Sequence, residues 1–185
     1  MASEAPEDLT FAIRLAAPAD VPALRRLIDR SVRGLNQSLY TTEQVDSALI
    51  YVFGVDTQLI ADATYFVVEA GGEIVAAGGW SRRRTLFGGD QHKSGHDSLL
   101  DPAHDAARIR AFFVDPAWAR RGLARLLFEA CRDAARAHGF AAMELGSTLP
   151  GEALYRALGF AAHERVEVSM PNGVSMPVIR MTRDI

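Results

Sequence analysis

The segment RIRAFFVDPAWARRGLARLLFEACRDAARAH, residues 108–138, carries the clearest structural signal in the chain. Ile109 to Val114 is rich in β-branched and aromatic residues, which predicts a half-buried strand. Pro116 lacks a backbone N–H and biases Asp115 away from the helical region, so the strand is expected to end there. Apolar residues then recur at three- and four-residue spacing, which predicts a helix of about four turns with one buried face. These residues are Leu123, Leu126, Leu127, Ala130, Cys131 and Ala134.

The junction between this strand and this helix has the features of an anion site. The first turn of a helix leaves about four backbone N–H groups without partners, and the helix dipole adds roughly half a positive charge. Gly122 and Ala124 are small enough to let a ligand reach those N–H groups. Nearby cationic charge comes from Arg120, Arg121 and Arg125. A pyrophosphate would fit here, although a solvated basic helix face also explains the arginines when they are considered alone.

The same junction resembles the coenzyme A signature of the GNAT superfamily (GCN5-related N-acetyltransferases). That signature usually has R/Q-x-x-G-x-G/A after a V-x-P strand end, and residues 114–124 have V-D-P-A-W-A-R-R-G-L-A. Gly122 and Ala124 match the fourth and sixth positions of the loop, whereas Ala119 replaces the usual Arg or Gln. Because backbone N–H groups can hold a phosphate by themselves, the site is expected to survive this replacement.

A second stretch is similar to a motif of the same family. Residues 154–160, LYRALGF, match its L-Y-x-x-x-G-F pattern, and the two motifs stand in the family's order. The resemblance covers roughly residues 10–182. It implies an acetyl-CoA-dependent N-acyltransferase that moves an acetyl group directly to the amine of a small molecule or to an exposed amino group.

The resemblance also implies the residues that would bind coenzyme A. The thioester would lie along the end of the central strand, and the phosphates would lie at the loop and the first helical turn. The residues concerned are Phe112, Phe113, Val114, Arg120, Arg121, Gly122, Leu123, Ala124 and Arg125. The family's tyrosine corresponds to Tyr155, which is expected to act as the general acid because a phenol keeps its proton at pH 7. A core aromatic is the alternative interpretation of Tyr155.

No general base can be assigned from the sequence. The central strand has no carboxylate where some members of the family have a glutamate. Glu69, Glu144, Asp90 and His92 are candidates, but each is better explained as an ordinary paired or solvated surface group. Removal of the proton through water is therefore also open.

Periodicity and turn residues, considered independently of the family, predict the element order β-α-α-β-β-β-α-β-α-β-β. A strand with one apolar face is expected from Phe11 to Leu15. Asp20 and Gly34 are expected to begin and end the first helix, and Thr41 with Gln44 forms a capping box for the second.

Two hairpins complete this pattern. They are predicted at Gly71-Gly72 and at Pro171-Asn172-Gly173. The expected fold class is α/β (α+β), the GNAT fold. It has a mixed, mostly antiparallel sheet of six to seven strands and about four helices packed on both faces.

Two polar segments could border the acceptor. Asn36, Gln37 and Tyr40 follow the first helix, and residues 81–107 form a long polar loop of the kind that often serves as a lid or specificity element. A metal site at His92, His96 and Asp97 is disfavoured because Ser94 and Gly95 interrupt any helix that would bring the histidines together. We expect no metal.

Length and composition limit the remaining possibilities. The chain has 185 residues, 49% of them apolar and 23% charged, which predicts one globular domain over residues 11–185 after a flexible tail over residues 1–10. No apolar run approaches a membrane span, and no secretory signal is visible, so a cytoplasmic location is expected. The net charge of −3 argues against nucleic acid as a partner, and a homodimer is left open.

Two other functions compete with acyl transfer. A non-catalytic module that keeps the coenzyme A pocket as a sensor or interaction surface is compatible with the missing strand carboxylate. A nucleotide-binding protein is less compatible, because the sequence contains neither G-x-x-x-x-G-K-[ST] nor a G-x-G-x-x-G that opens a helix after a strand.

Overall fold

The computed structural model describes residues 10–185, so most of the tail predicted over residues 1–10 lies outside the described residues. The described residues form seven strands and five α-helices. The strands are β1 (Ala12–Leu15), β2 (Tyr65–Ala70), β3 (Glu73–Ser81), β4 (Ala107–Val114), β5 (Ala142–Thr148), β6 (Ala161–Ser169) and β7 (Ser175–Asp184). The helices are α1 (Val21–Asn36), α2 (Thr42–Tyr51), α3 (Thr57–Ala61), α4 (Leu123–Ala137) and α5 (Glu152–Ala157). The predicted fold class is confirmed, and the short helix α3 is an addition to the predicted order.

All seven strands form one sheet in the order β1-β2-β3-β4-β5-β7-β6. Only β4 and β5 run parallel, and every other neighbouring pair is antiparallel. Helices cover both faces, as alternate residues of β2 show: Val67 packs in the cluster with α1 and α2, whereas Val68 packs in a cluster with α4. Among residues 10–185, no helix is long and apolar enough to cross a membrane.

The two predicted hairpins are present, with different turns. Gly71 and Gly72 have φ values of 58° and 82°, as a two-residue turn between β2 and β3 requires. In the second hairpin only Gly173 has a positive φ, and the N–H of Met170 donates to the carbonyl of Val174. The loop there has three residues, because Pro171 fixes its own φ near the value of a type I turn.

Three local predictions at the N-terminal end were wrong. Helix α1 does not end at Gly34 but continues to Asn36. The glycine at this position makes room for Pro116, whose Cγ would be 2.3 Å from a Cβ there. Asp20 does not cap α1 with its side chain; it accepts instead from the N–H of Ala17 and from Arg14. Strand β1 does not bury an apolar face, since Ile13 and Leu15 are 37% and 45% exposed.

The feature that positions the site is the separation of β4 from β5. The two strands pair only at Ala107 with Met143 and at Arg108 with Glu144, although β4 continues to Val114 and β5 to Thr148. An irregularity lies in β4 at Ala111, whose φ is 54°, opposite a register shift in β3. Beyond Arg108 the edge of β4 that faces β5 therefore has no ladder partner, and a gap opens between the strands.

Tyr40 fastens the far end of β5. Its buried hydroxyl donates to the carbonyl of Pro177 at 2.7 Å and accepts from the N–H of Leu149 at 2.8 Å. Burial raises the pKa of this phenol to about 12, so it stays protonated and can donate. The connector after α1 is thus tied to the strand pair β5–β7 beside the gap.

We predict that Tyr40→Phe lowers the free energy of unfolding by about 1–3 kcal/mol, because it leaves two buried backbone groups without a partner. Urea denaturation would measure the change. The matched control is Tyr51→Phe, since the Tyr51 hydroxyl makes no hydrogen bond to residues 10–185; it should alter stability by less than about 0.5 kcal/mol. Equal effects of the two substitutions would contradict this account.

Candidate functional site

A cavity of about 680 Å³ occupies the gap between β4 and β5. It extends from the N-terminal end of α4, along the unpaired edge of β4, to the loop at residues 86–89. Its polar and charged lining residues are Asn36, Arg110, Arg120, Arg125, Ser147, Thr148 and Tyr155. Most of the remaining lining is aliphatic, aromatic or glycine.

One end of the cavity is suited to an anion. Gly122, at the N-cap position of α4, has a φ of 82° and supplies no capping side chain, and the first turn contains no acidic residue. The first backbone bond of the helix runs from the N–H of Leu126 to the carbonyl of Gly122. The N–H groups of Leu123, Ala124 and Arg125 are consequently not used by the helix, and all three residues line the cavity.

The three arginines of this junction have different positions. Arg120, with a φ of 64°, and Arg125 line the cavity. Arg121 does not line it, because its guanidinium lies over the Trp118 ring, 4.9 Å from the centroid. Within residues 10–185, none of the three forms a salt bridge with a carboxylate, so their charge is not neutralised locally.

The middle of the cavity is formed by the end of β4. Phe112, Phe113 and Val114 all line it, beside the strand edge that lacks a ladder partner. Gly78 of β3 makes room for this arrangement, since a Cβ there would be 2.5 Å from the Phe112 ring. The Tyr65 hydroxyl donates to the carbonyl of Ala111 at 3.3 Å and supports the irregular backbone.

Tyr155 is both a core aromatic and a lining residue. It is 9% exposed and packs against Phe112 and Phe160, with ring centroids at 6.4 and 5.8 Å. Its hydroxyl makes no hydrogen bond to the described part of the chain, although the residue borders the cavity. Burial raises the pKa of this phenol, and Cys131 adds to the shift, so the proton is held firmly at neutral pH.

A buried ion cluster lies behind the cavity, and sequence reasoning missed it. The Arg110 guanidinium bonds to Asp56 at 2.9 Å and to the carbonyls of Thr85 and Gly88 at 2.8 and 2.5 Å. Lys93 binds the other oxygen of Asp56. The Arg110 and Asp56 side chains have no exposed surface, and burial lowers the pKa of Arg110 while Asp56 opposes that shift.

This cluster holds the long loop against the sheet. Thr85, Gly88 and Lys93 all belong to the segment predicted as a lid or specificity element, and Arg110 attaches them to β4. The sequence signal for this cluster was Arg110, a charged residue inside a predicted strand. In the structure both Arg110 and its neighbour Ile109 are buried. A buried charge requires a partner, but the sequence does not show which carboxylate provides it.

Other residues named from the sequence have mostly structural roles. Asn36 lines the cavity, Gln37 is exposed and does not, and Tyr40 is occupied by the backbone of β5 and β7. No group of three or more His, Cys, Asp or Glu side chains within residues 10–185 is placed to hold a metal ion. Asp97 instead accepts the N–H of Thr85.

The four candidate bases do not line the cavity. Glu69 binds Arg14, and Glu144 lies between Arg108 and Arg180. Asp90 accepts the N–H of Thr57, and the His92 ring stacks on Phe87 with centroids 5.3 Å apart. Among the described residues, the cavity lining contains no Asp, Glu, Lys or His.

Comparisons with known proteins agree with this architecture. A model of the acetyltransferase (GNAT) family matches residues 30–160. Similar solved structures include a GCN5-related N-acetyltransferase from Rhodopseudomonas palustris, with 20% identity, a TM-score of 0.71, and 95% of this chain and 96% of the other covered. No match was found among curated proteins.

Two further structures share the fold. The PaiA N-acetyltransferase from Thermoplasma acidophilum, solved in complex with coenzyme A, has 10% identity and a TM-score of 0.66 over 96% of this chain and all of the other. A ribosomal-protein-alanine N-acetyltransferase from Brucella melitensis has 18% identity and a TM-score of 0.62 over 94% and 99%. At these identities the likeness concerns the fold alone.

We predict that Asp56→Asn lowers the free energy of unfolding by about 3–5 kcal/mol, because it leaves two buried cations without their carboxylate. Hydrogen exchange of the loop at residues 85–93 should increase in the same variant. The control is Asp46→Asn, which removes an exposed partner of Arg33 and should cost less than about 1 kcal/mol. Similar losses in both variants would show that the buried cluster has no special role in stability.

Proposed function

The chain belongs to the acetyltransferase (GNAT) family, and we propose that it transfers an acetyl group directly from acetyl-CoA to the amine of a small molecule or to an exposed amino group. The observation that carries this proposal is the continuity of one cavity. It joins the unsatisfied N–H groups of α4 to the unpaired edge of β4 and then to the free hydroxyl of Tyr155.

The donor would be held mostly by backbone. The N–H groups of Leu123, Ala124 and Arg125 suit a diphosphate, and Arg120 and Arg125 add charge from the rim. The unpaired β4 edge offers donors and acceptors to an amide-containing arm such as pantetheine. The proposed donor residues at Phe112, Phe113 and Val114 are those that border this edge. Arg121, occupied with Trp118, would contribute long-range charge only.

Acetyl-CoA, when bound, supplies an activated acyl group as a thioester. The chain's own contribution is to orient an amine beside the β4 edge, to exclude water with the aromatic walls, and to provide a proton for the leaving sulfur. Tyr155 is suited to that last role because its phenol carries its proton at pH 7 and its hydroxyl is not engaged by another residue of the described chain. The proton that Tyr155 gives up would be replaced from the amine through water.

Direct transfer is favoured over a route through a covalent enzyme intermediate. The only cysteine, Cys131, is fully buried in the core, and burial raises the pKa of its thiol far above the usual range. Ser147 lines the cavity, but its hydroxyl is bonded to the carbonyl of Thr148 at 2.7 Å and has no adjacent base among the described lining residues. Neither side chain is therefore an activated nucleophile.

A coenzyme A sensor would need the same donor cleft. A sensor would not need a protonated phenol in the cavity whose hydroxyl has no partner. The presence of Tyr155 in the lining therefore favours catalysis. Release of the free thiol from acetyl-CoA in the presence of amines separates the two functions: an enzyme releases it in proportion to acetylated amine, and a sensor does not.

We predict that Ala124→Glu weakens coenzyme A binding at least about tenfold, because a carboxylate then stands among the N–H groups that the diphosphate needs. The fold should not suffer, since an acidic residue in a first helical turn is favourable. Calorimetric titration would give the affinity. The matched control, Ala137→Glu at the exposed C-terminal end of α4, adds the same charge and should leave the affinity unchanged.

We predict that Tyr155→Phe retains coenzyme A binding but lowers turnover on the order of 100-fold, the usual contribution of a general acid. A thiol-release assay with a productive amine would measure turnover, and calorimetry would confirm binding. Turnover equal to that of the unmodified protein would remove Tyr155 from the chemistry.

A further inference from the structure

The half of the cavity away from α4 has an aromatic and aliphatic wall. We call Leu35, Phe53, Leu86, Phe87 and Phe113 the acceptor wall. Phe53 and Phe113 meet edge to face with centroids 6.3 Å apart. Phe87 lies close against β5, since a Cβ at Gly146 would be 2.9 Å from its ring. A substrate body that contacts this wall is most stable when it is apolar, because both surfaces then leave water together.

The charge of the cavity has one sign. The charged groups that line it among residues 10–185 are Arg110, Arg120 and Arg125, and the remaining titratable group is Tyr155, which keeps its proton. Arg110 is compensated by carboxylates behind the cavity surface: Asp56 bonds to it directly and is shared with Lys93, and Asp90 and Asp97 lie close enough to act on its charge. Arg120 and Arg125 would be neutralised by the diphosphate of the proposed donor, and an ammonium group in the other half of the cavity would find no lining carboxylate as a counterion.

The absence of a lining carboxylate or histidine also limits proton removal. An amine must be neutral to attack a thioester, and nothing on the described cavity surface can take its proton directly. A lysine-like amine, with a pKa of about 10.4, is less than roughly 0.1% neutral at pH 7. An α-amino group, with a pKa of about 7.8, is roughly 10% neutral.

We propose that the acceptor is a weakly basic primary amine, with a pKa of about 8 and hence a substantial neutral fraction at pH 7 to 8, on an apolar or aromatic body, as in the α-amino group of a hydrophobic residue. This inference rests on the proposed acetyl transfer and specifies its substrate class. It disfavours polyamines and other polycations, because the acceptor wall offers their charges no carboxylate.

His92 is a group directly behind the cavity lining that could act as a concealed base. It is half-buried, burial lowers its pKa, and its ring stacks on the lining residue Phe87 but is not itself part of the cavity lining. His92→Gln should therefore leave the rate and its pH profile unchanged. A loss of activity in this variant, with the fold intact by circular dichroism, would overturn the inference that no side chain removes the proton of the amine.

Four amines separate the two requirements of the proposal. Phenylalaninamide has an aromatic body and a weakly basic amine, phenylethylamine has the body with a strongly basic amine, glycinamide has the weak base without the body, and spermidine is a polycation. At pH 7 the value of kcat/KM for phenylalaninamide should exceed that for phenylethylamine on the order of 100-fold, the ratio of their neutral fractions. Glycinamide and spermidine should be poorer than phenylalaninamide.

The pH profile gives an independent signature. Between pH 7 and pH 9, kcat/KM for phenylethylamine should rise about tenfold per unit, because the neutral fraction rises at that rate below the pKa. The same quantity for phenylalaninamide should level off near pH 8. A flat profile for phenylethylamine, or a preference for spermidine, would overturn the inference while leaving acetyl transfer established. Absence of thiol release with every amine would instead overturn the proposed function.

A variant with an added carboxylate tests the charge argument directly. Leu35 borders the cavity and is 38% exposed, so Leu35→Glu should fold and place a carboxylate at the acceptor wall. The selectivity should shift toward phenylethylamine by roughly two- to fivefold, the value of a half-exposed ion pair. Leu39→Glu, on an exposed residue outside the cavity lining, is the control and should leave the selectivity unchanged. An unchanged selectivity in Leu35→Glu would contradict the argument.

Discussion

The early separation of β4 from β5 is the constraint on which the rest of the site depends. Parallel strands normally satisfy each other's backbone groups along their shared length, but here the ladder ends at Arg108 and Glu144. Glu144 binds Arg108 from β4 and Arg180 from β7 at that point. These ion pairs hold β4 and β5 together where their ladder ends. Beyond that point the backbone of β4 is irregular at Ala111 and the two strands separate, an arrangement we call the fork.

This fork leaves backbone polar groups open in a candidate binding site. Polar groups along an unpaired strand edge are costly to bury without a partner, so the edge of β4 is stable only if water or a ligand satisfies it. The N-terminal end of α4 presents the same kind of unsatisfied N–H groups at the adjoining end of the cavity. Two unrelated elements therefore offer one continuous set of donors, and side chains add charge and a proton source to it.

The opposite half of the site depends on a charge that is never exposed. Arg110 sits in β4 with no exposed side-chain surface and bonds to two carbonyls of the loop after β3. The loop is thereby placed with Leu86 and Phe87 toward the cavity, which gives an apolar wall without a lining carboxylate. Such a wall suits a neutral amine, since a charged one would lose its hydration without gaining a counterion.

Local sequence signals predicted the elements well wherever the deciding interactions lie within a few residues. The hairpin at Gly71-Gly72, the capping box at Thr41 and Gln44, and the amphipathic helix α4 all belong to this class. The misjudged positions have distant partners. Gly34 was predicted to end a helix, but it makes room for Pro116. The side chain of Asp20 was predicted to cap α1, but it accepts a hydrogen bond from Arg14 instead.

The candidate site divides in the same way. Gly122, Ala124 and the residues of β4 were identifiable because a strand, a turn and a helix start follow one another along the chain, and the properties of a helix N-terminus are local. Asp56 and Arg110 are 54 positions apart, so no spacing rule connects them. The sequence alone thus determined the order of elements except for the short helix α3, and it indicated the junction of β4 and α4 as the candidate anion-binding end. Only the tertiary structure decided the fork, the stacking of Arg121 away from the cavity and the acceptor wall, because these arise from contacts between segments whose proximity is a property of the folded chain.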